Sequence, residues 1–192
     1  MAYAVQWIRS LLFNIQMYVA MVIVAIVFLV PMILSQKGAS LAANVYCWWV
    51  VWSARWMIGL KVQVRGTVPK GEVLIAAKHQ SFFDIIVIFN CLDRSKFIMK
   101  RQLLFTPIVG QYAYRLGCVP VNRGKGAAAI RKMVADVASG RVAPGQLVIY
   151  PQGTRVAPGD KKPYKVGSAI LYDGLGMPCV PVAANVGVFW PR

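Results

Sequence analysis

The chain has 192 residues, 58% of them hydrophobic, and carries 22 Lys and Arg against six Asp and Glu, a net charge of +16. That length holds one ordinary domain plus an appendage, and the apolar excess, gathered near the N-terminus, indicates membrane attachment rather than a larger core. The charge calls for acidic partners, namely an anionic membrane surface, phosphorylated small molecules or an acidic carrier protein; for nucleic acid the basic residues are too scattered and form no recognisable motif.

Between Arg9 and Lys37 there is no charged residue, and Met17 to Leu34 is apolar apart from Tyr18. Such a stretch approaches the roughly 20 residues that cross a bilayer core. Pro31, near its end, kinks or terminates a helix. A cleaved signal peptide is the rival reading, but its apolar region usually runs only about 7–15 residues, and a basic, disulfide-poor chain argues against export. Leu41 to Leu60 is a second apolar segment, with Trp48, Trp52 and Trp56 at four-residue intervals, Trp49 beside them, and Arg55 interrupting. Tryptophan and a snorkelling arginine suit the membrane–water interface. The expectation is therefore a hydrophobic two-helix membrane hairpin over residues 1–60, turning near Ser35–Gly38. The basic remainder, residues 61–192, should stay on the cytoplasmic face of a bacterial inner membrane.

From Lys61 onward short β-rich runs alternate with helical stretches. Strands are expected at 73–77, 96–99, 118–121, 147–150 and 179–183. Helices are expected at 82–91, at 107–116 starting from Pro107, at 127–139 ending at Gly140, and at 166–173. The alternation implies an α/β fold, a mostly parallel sheet flanked by helices. Ligands collect beyond the carboxyl ends of such strands. His79, Arg123 and Gly153-Thr154-Arg155 each follow a strand and so should share that edge. Cys47, Cys91, Cys118 and Cys179 are far apart and form no CxxC. With one histidine in the chain, this argues against a Cys/His metal site and for a reducing compartment.

His79 must carry any imidazole chemistry, and Asp84 lies five residues on. That spacing does not stack two side chains on one helical face. The pair meets if His79 occupies the turn after a strand and Asp84 the first turn of the next helix, where an aspartate can hold the imidazole tautomer. The alternative is a surface histidine beside an unrelated helix-start aspartate. Ser81, close to His79, is read as a helix-capping residue rather than a nucleophile. Downstream, Tyr150-Pro151-Gln152-Gly153-Thr154-Arg155 and Val119-Pro120-Val121-Asn122-Arg123-Gly124 each close a strand with glycine and arginine. Glycine lets the backbone approach a ligand, and two guanidinium forks can clamp a phosphate. Either arginine alone also fits an ordinary solvated loop.

These blocks together resemble the glycerolipid acyltransferase family that includes 1-acyl-sn-glycerol-3-phosphate acyltransferases. His79 through Asp84 match its first block, with four residues intervening. Arg123, with upstream Lys100, Phe105-Thr106-Pro107 and Gly110, looks like the second. Pro151, Gly153, Thr154 and Arg155 match the third, usually Pro-Glu-Gly-Thr-Arg, and Val180-Pro181-Val182 resembles the fourth. The resemblance runs from about Lys61 to the C-terminus. Gln152 departs from it: glutamine keeps the size of the family glutamate, loses its charge and adds an amide donor. The chain also stops soon after the fourth block, where further sheet and helix are expected, so C-terminal truncation is expected.

The resemblance implies acyl transfer from acyl-CoA or an acyl-acyl carrier protein to the sn-2 hydroxyl of lysophosphatidic acid. His79 would serve as general base braced by Asp84. Arg123, Gly153, Thr154 and Arg155 would hold the phosphate, supported by Lys100 and Gln152, with neither metal nor cofactor. Other lysophospholipids, a lyso-ornithine lipid or glycerol 3-phosphate are alternative acceptors, and a silent lipid-binding membrane protein is the non-enzymatic alternative.

Overall fold

The computed structural model describes residues 2–122, 126–139 and 145–191. Three helical segments come first: α1 (Ala2–Val27), α2 (Leu29–Leu34) and α3 (Gln36–Met57). The expected two helices are three because of Pro31. A proline cannot bond to the carbonyl four residues back, and its ring clashes with it. That carbonyl belongs to Val27, where α1 stops; Pro31 itself sits in the first turn of α2, where a missing N–H is harmless. Ser35 is extended (φ −153°, ψ 151°), and its Oγ accepts from the Gly38 amide at 2.9 Å, capping α3 five residues before the segment drawn from Leu41. Gly38 lies against the Pro31 backbone so closely that a Cβ would strike its carbonyl.

The partners of α1 on α3 run in opposite order along the two helices. The Arg9 guanidinium donates to the carbonyls of Met57 and Trp56, while Gln16, further along α1, donates to Ser53 Oγ at 3.0 Å and accepts from Trp49 Nε1 at 2.8 Å. The two helices are therefore antiparallel. Their outer faces stay uncovered: Tyr3–Val27 is 25 residues long and apolar enough to cross a membrane, and only 17% of its most apolar window is buried. At about 1.5 Å per residue it reaches roughly 38 Å, more than the hydrocarbon core of a bilayer.

Five strands follow: β1 (Val73–Ala77), β2 (Ser95–Lys100), β3 (Val119–Val121), β4 (Gln146–Ile149) and β5 (Cys179–Val182). They form one parallel sheet in the order β3-β2-β4-β1-β5, with Ile75 level with both Val148 and Val180. Helices α4 (Phe83–Cys91), α5 (Val109–Arg115), α6 (Gly126–Ala138), α7 (Val166–Leu175) and the short α8 (Val186–Phe189) connect or follow them. α5 begins at Val109 rather than at Pro107, because a 3-10 turn (Arg101–Phe105) and a bend precede it and Ile108 has a positive φ of 64°. The expected end of α6 at Gly140 lies outside the described residues.

Strand alternation divides β1 between two cores. Val73, Ile75 and Ala77 join Phe97, Val148, Phe83 and Phe89 in a cluster that also contains Phe13, Met17, Cys47 and Val50 of α1 and α3. Leu74 faces the other way, with Val119, Leu147 and Leu171, under α6 and α7. One continuous core thus runs from the N-terminal helices into the sheet. The carboxyl ends of β1, β2 and β4 are left along a single edge, beside the junction with α1 and α3.

Candidate active site

β1 stops at Ala77 and the chain turns across the sheet edge to enter α4. The ladder extends one step further, since the Lys78 amide donates to Val182 O at 2.9 Å, which anchors the turn to the edge strand β5. The turn is then folded around one carboxylate oxygen. Asp84, in the first turn of α4 and 1% exposed, accepts at Oδ2 from the amides of Gln80 (2.5 Å) and Ser81 (2.8 Å) and faces His79 Nδ1 at 3.2 Å. A carboxylate can only accept, so Nδ1 carries the hydrogen and Nε2 keeps its lone pair. That is the tautomer a general base requires. Ser81 is fully buried and its Oγ accepts from the Phe83 amide at 3.3 Å, a helix-start contact.

The second wall of the site comes from the end of β4. The Tyr150 ring stacks on the His79 imidazole with centroids 4.0 Å apart, and Phe97 and Phe89 continue the aromatic row behind it. Burial, and then the Asp84 charge, push the Tyr150 phenol well above its ordinary pKa, so it stays protonated. Its hydroxyl and Asp84 Oδ1 are both buried without a hydrogen-bond partner among the described residues.

Beyond Tyr150 the chain turns at Gly153 (φ +69°), whose amide donates to Tyr150 O at 2.8 Å; a side chain there would be strained. Two residues after Thr154, the Val156 amide donates to His79 O at 2.8 Å. The backbone next to Arg155 is therefore carried to the histidine's side of the domain, and the Arg155 side chain is exposed. Gln152 is 3% exposed and donates to Lys162 O at 3.1 Å. Lys100 ends β2 at the same edge, while Arg123 lies outside the described residues. Of the sites expected from sequence, His79, Lys100 and Gly153 line one cavity and Asp84 faces His79, while Gln152, Thr154 and Arg155 flank Gly153 in the chain.

His79, Lys100 and Gly153 border the mouth of a cavity of about 390 Å³. It runs inward between the sheet edge and the N-terminal helices, past Met21, Ala43, Phe89, Tyr112 and Ile130, and its lining is overwhelmingly apolar. An imidazole base at the door of a greasy channel, with cations around it, suits a substrate that has a long apolar tail and an anionic head. Sequence reasoning passed over two contributors. Tyr150 was visible only as the end of a strand, because nothing in the chain shows what its ring would face. Lys165 also borders the cavity, reached by a loop whose course no spacing rule reveals; the cluster Lys161, Lys162 and Lys165 was its only signal.

Known proteins resemble this chain in sequence and in fold. The acyltransferase family profile matches residues 60–185. A 1-acyl-sn-glycerol-3-phosphate acyltransferase of Pseudomonas aeruginosa is 24% identical over 167 residues, 86% of this chain and 65% of that protein. The human 1-acyl-sn-glycerol-3-phosphate acyltransferase beta is 35% identical over 139 residues, 70% of this chain and 50% of that protein. The chain thus spans between half and two thirds of the length of these two relatives. The crystal structure of the 1-acyl-sn-glycerophosphate (LPA) acyltransferase PlsC from Thermotoga maritima superposes with a TM-score of 0.74 at 21% identity, covering 94% of this chain and 75% of that one. That likeness concerns the fold, a parallel sheet flanked by helices behind a long apolar N-terminal helix. With a family match over most of its length, this chain belongs to the acyltransferase family.

Proposed function

We propose that the protein moves a fatty acyl group from an acyl thioester to the sn-2 hydroxyl of 1-acyl-sn-glycerol 3-phosphate, giving phosphatidic acid. The observation that carries the reading is the His79–Asp84 pair, 3.2 Å apart, at the mouth of an apolar cavity. His79 Nε2 takes the proton of the acceptor hydroxyl as its oxygen attacks the thioester carbonyl. The tetrahedral intermediate then expels the thiolate, which recovers the proton from the imidazolium, so that ester and free thiol are the only products. Asp84 stabilises the transient positive ring. Arg155, Lys100 and Lys165, with Arg123, supply cations for the acceptor phosphate.

The names of the relatives favour lysophosphatidic acid as the acceptor. Acyl-CoA and an acyl-acyl carrier protein are both donors of fitting chemistry, since each brings negative charge to a protein of net charge +16. The site works at a membrane: α1 leaves most of its apolar surface uncovered, and Trp48, Trp52 and Trp56 are exposed on α3. The basic body belongs on the cytoplasmic face.

The test is thiol release from an acyl thioester by the purified protein in mixed micelles with lysophosphatidic acid. The native protein should release thiol and form phosphatidic acid, and His79→Ala should lose on the order of 10²–10⁴-fold in rate. Turnover with glycerol 3-phosphate but not with the lysolipid would reassign the acceptor. Equal rates for native protein and His79→Ala would end the reading.

A further inference from the structure

The residue that departs from the family pattern is also the one that ties down the basic rim. From Gly153 to Lys165 the chain makes a strap of thirteen residues whose two ends, Gly153 and Lys165, border the cavity, and it carries Arg155, Lys161, Lys162 and Lys165 against the single acid Asp160. Its near end is tied through the Val156 amide to His79 O, and its far end by the Lys165 amide to Pro151 O, both at 2.8 Å. Between those ties, residues 157–164 are exposed. The side-chain hydrogen bond on their middle comes from Gln152, which is 3% exposed and donates from Nε2 to Lys162 O, while Lys78 Nζ lies 6.0 Å from the centre of the Tyr164 ring.

We infer that Gln152 is a positioning residue whose amide N–H latches this strap, so that Lys165 and its neighbours are preset to receive a phosphate-bearing acceptor beside His79. The inference rests on the acyl-transfer reading for its ligand, but the latch itself does not. The group facing Gln152 is a backbone carbonyl, which can only accept. Glutamine meets it with a donor. An ionised glutamate in the same place would oppose acceptor to acceptor in a buried setting, leaving both unsatisfied. The family's usual acid is therefore expected to harm this chain rather than repair it. A strap freed from its middle tie would spend time away from the rim, and the cations it carries would bind phosphate less tightly, while the His79–Asp84 chemistry would be untouched.

The experiment compares native protein with Gln152→Met, Gln152→Glu and Gln152→Ala in detergent. Methionine keeps the volume and removes donor and charge together. Trypsin cleavage after Lys161 and after Lys165 reports the strap without reference to any substrate; Pro163 shields the bond after Lys162. All three variants should be cut about three- to tenfold faster there, in keeping with the loss of one hydrogen bond. In turnover assays, KM for lysophosphatidic acid should rise by a similar factor while kcat stays within about twofold. Native-rate cleavage of Gln152→Met, or a Gln152→Glu protein as resistant as native, overturns the latch. Faster cleavage with unchanged KM overturns the positioning role. Early melting of all three would make Gln152 a packing residue only. Absence of acyl transfer in the native protein would refute the proposed function, and the proteolysis would still decide the latch.

Discussion

The phenol ring of Tyr150 lies almost parallel to the imidazole of His79, with centroids 4.0 Å apart and planes inclined by 17°. Asp84 holds the edge of the imidazole and Tyr150 holds one face, so the ring is constrained in two directions at once. Tyr150→Leu should remove the stacked face and lower kcat roughly three- to tenfold, the worth of one aromatic contact. Tyr150→Phe should stay within about twofold of native and melt no lower, because the hydroxyl it deletes is buried with no hydrogen-bond partner among the described residues. The alkaline limb of its pH–rate profile should match that of native protein, since burial already keeps the phenol protonated. Kinetics and thermal melts of the two variants check this, and a large loss in the Phe variant would assign the hydroxyl a role.

Asp84 Oδ2 accepts two backbone amides besides facing Nδ1, so one oxygen shapes the turn and sets the tautomer. Asp84→Asn nearly preserves shape but can present an N–H to the ring, favouring the tautomer with its hydrogen on Nε2. We expect kcat to fall on the order of 10³-fold or more, with KM little changed. Single-turnover thiol release is the measurement, and a loss below tenfold would separate Asp84 from the chemistry.

The apolar cavity makes a prediction about substrate length. Ala43 of α3 lines it. Ala43→Phe should fill part of the channel and reduce kcat/KM for long acyl thioesters roughly tenfold, leaving short ones near native. Chain-length profiles with the donors at matched concentration distinguish this from a general defect, in which all lengths would fall together.

Lys96 of β2 is 5% exposed. Its ammonium pKa lies below the usual 10.5, chiefly through burial, with Cys118 opposing that, Arg94 adding to it and Glu72 opposing. The unfolded chain therefore binds more protons than the folded one between that lowered value and 10.5, and stability rises with pH across the window. Lys96→Met should lack this rise, so native protein should gain stability relative to the variant between pH 7 and pH 10. Denaturant titrations at both pH values would show it, and parallel pH curves would refute it.

Much of this molecule follows from local rules. The runs at 73–77 and 179–182 had to be extended because they are short, apolar and bounded by breakers, and the alternation of strand and helix demanded a parallel sheet. Pro31 dictated a break, though its position at Phe28 depends on which carbonyl the proline ring blocks. A lone His79 with Asp84 five residues on was legible as a pair because a strand-to-helix turn is the local geometry that lets them meet. Other features came only with tertiary structure. Parallel strand order brings the end of β4 beside the end of β1, and so puts Tyr150 against His79; no spacing of 71 residues in sequence encodes that contact. The cavity likewise exists only where α1 and α3 lean on the sheet edge, and the purpose of the Gln152 amide appears only when the strap returns the Lys162 carbonyl to it. Local chemistry decided which residues could act. Packing between segments distant in sequence, which no short-range preference specifies, decided what they face.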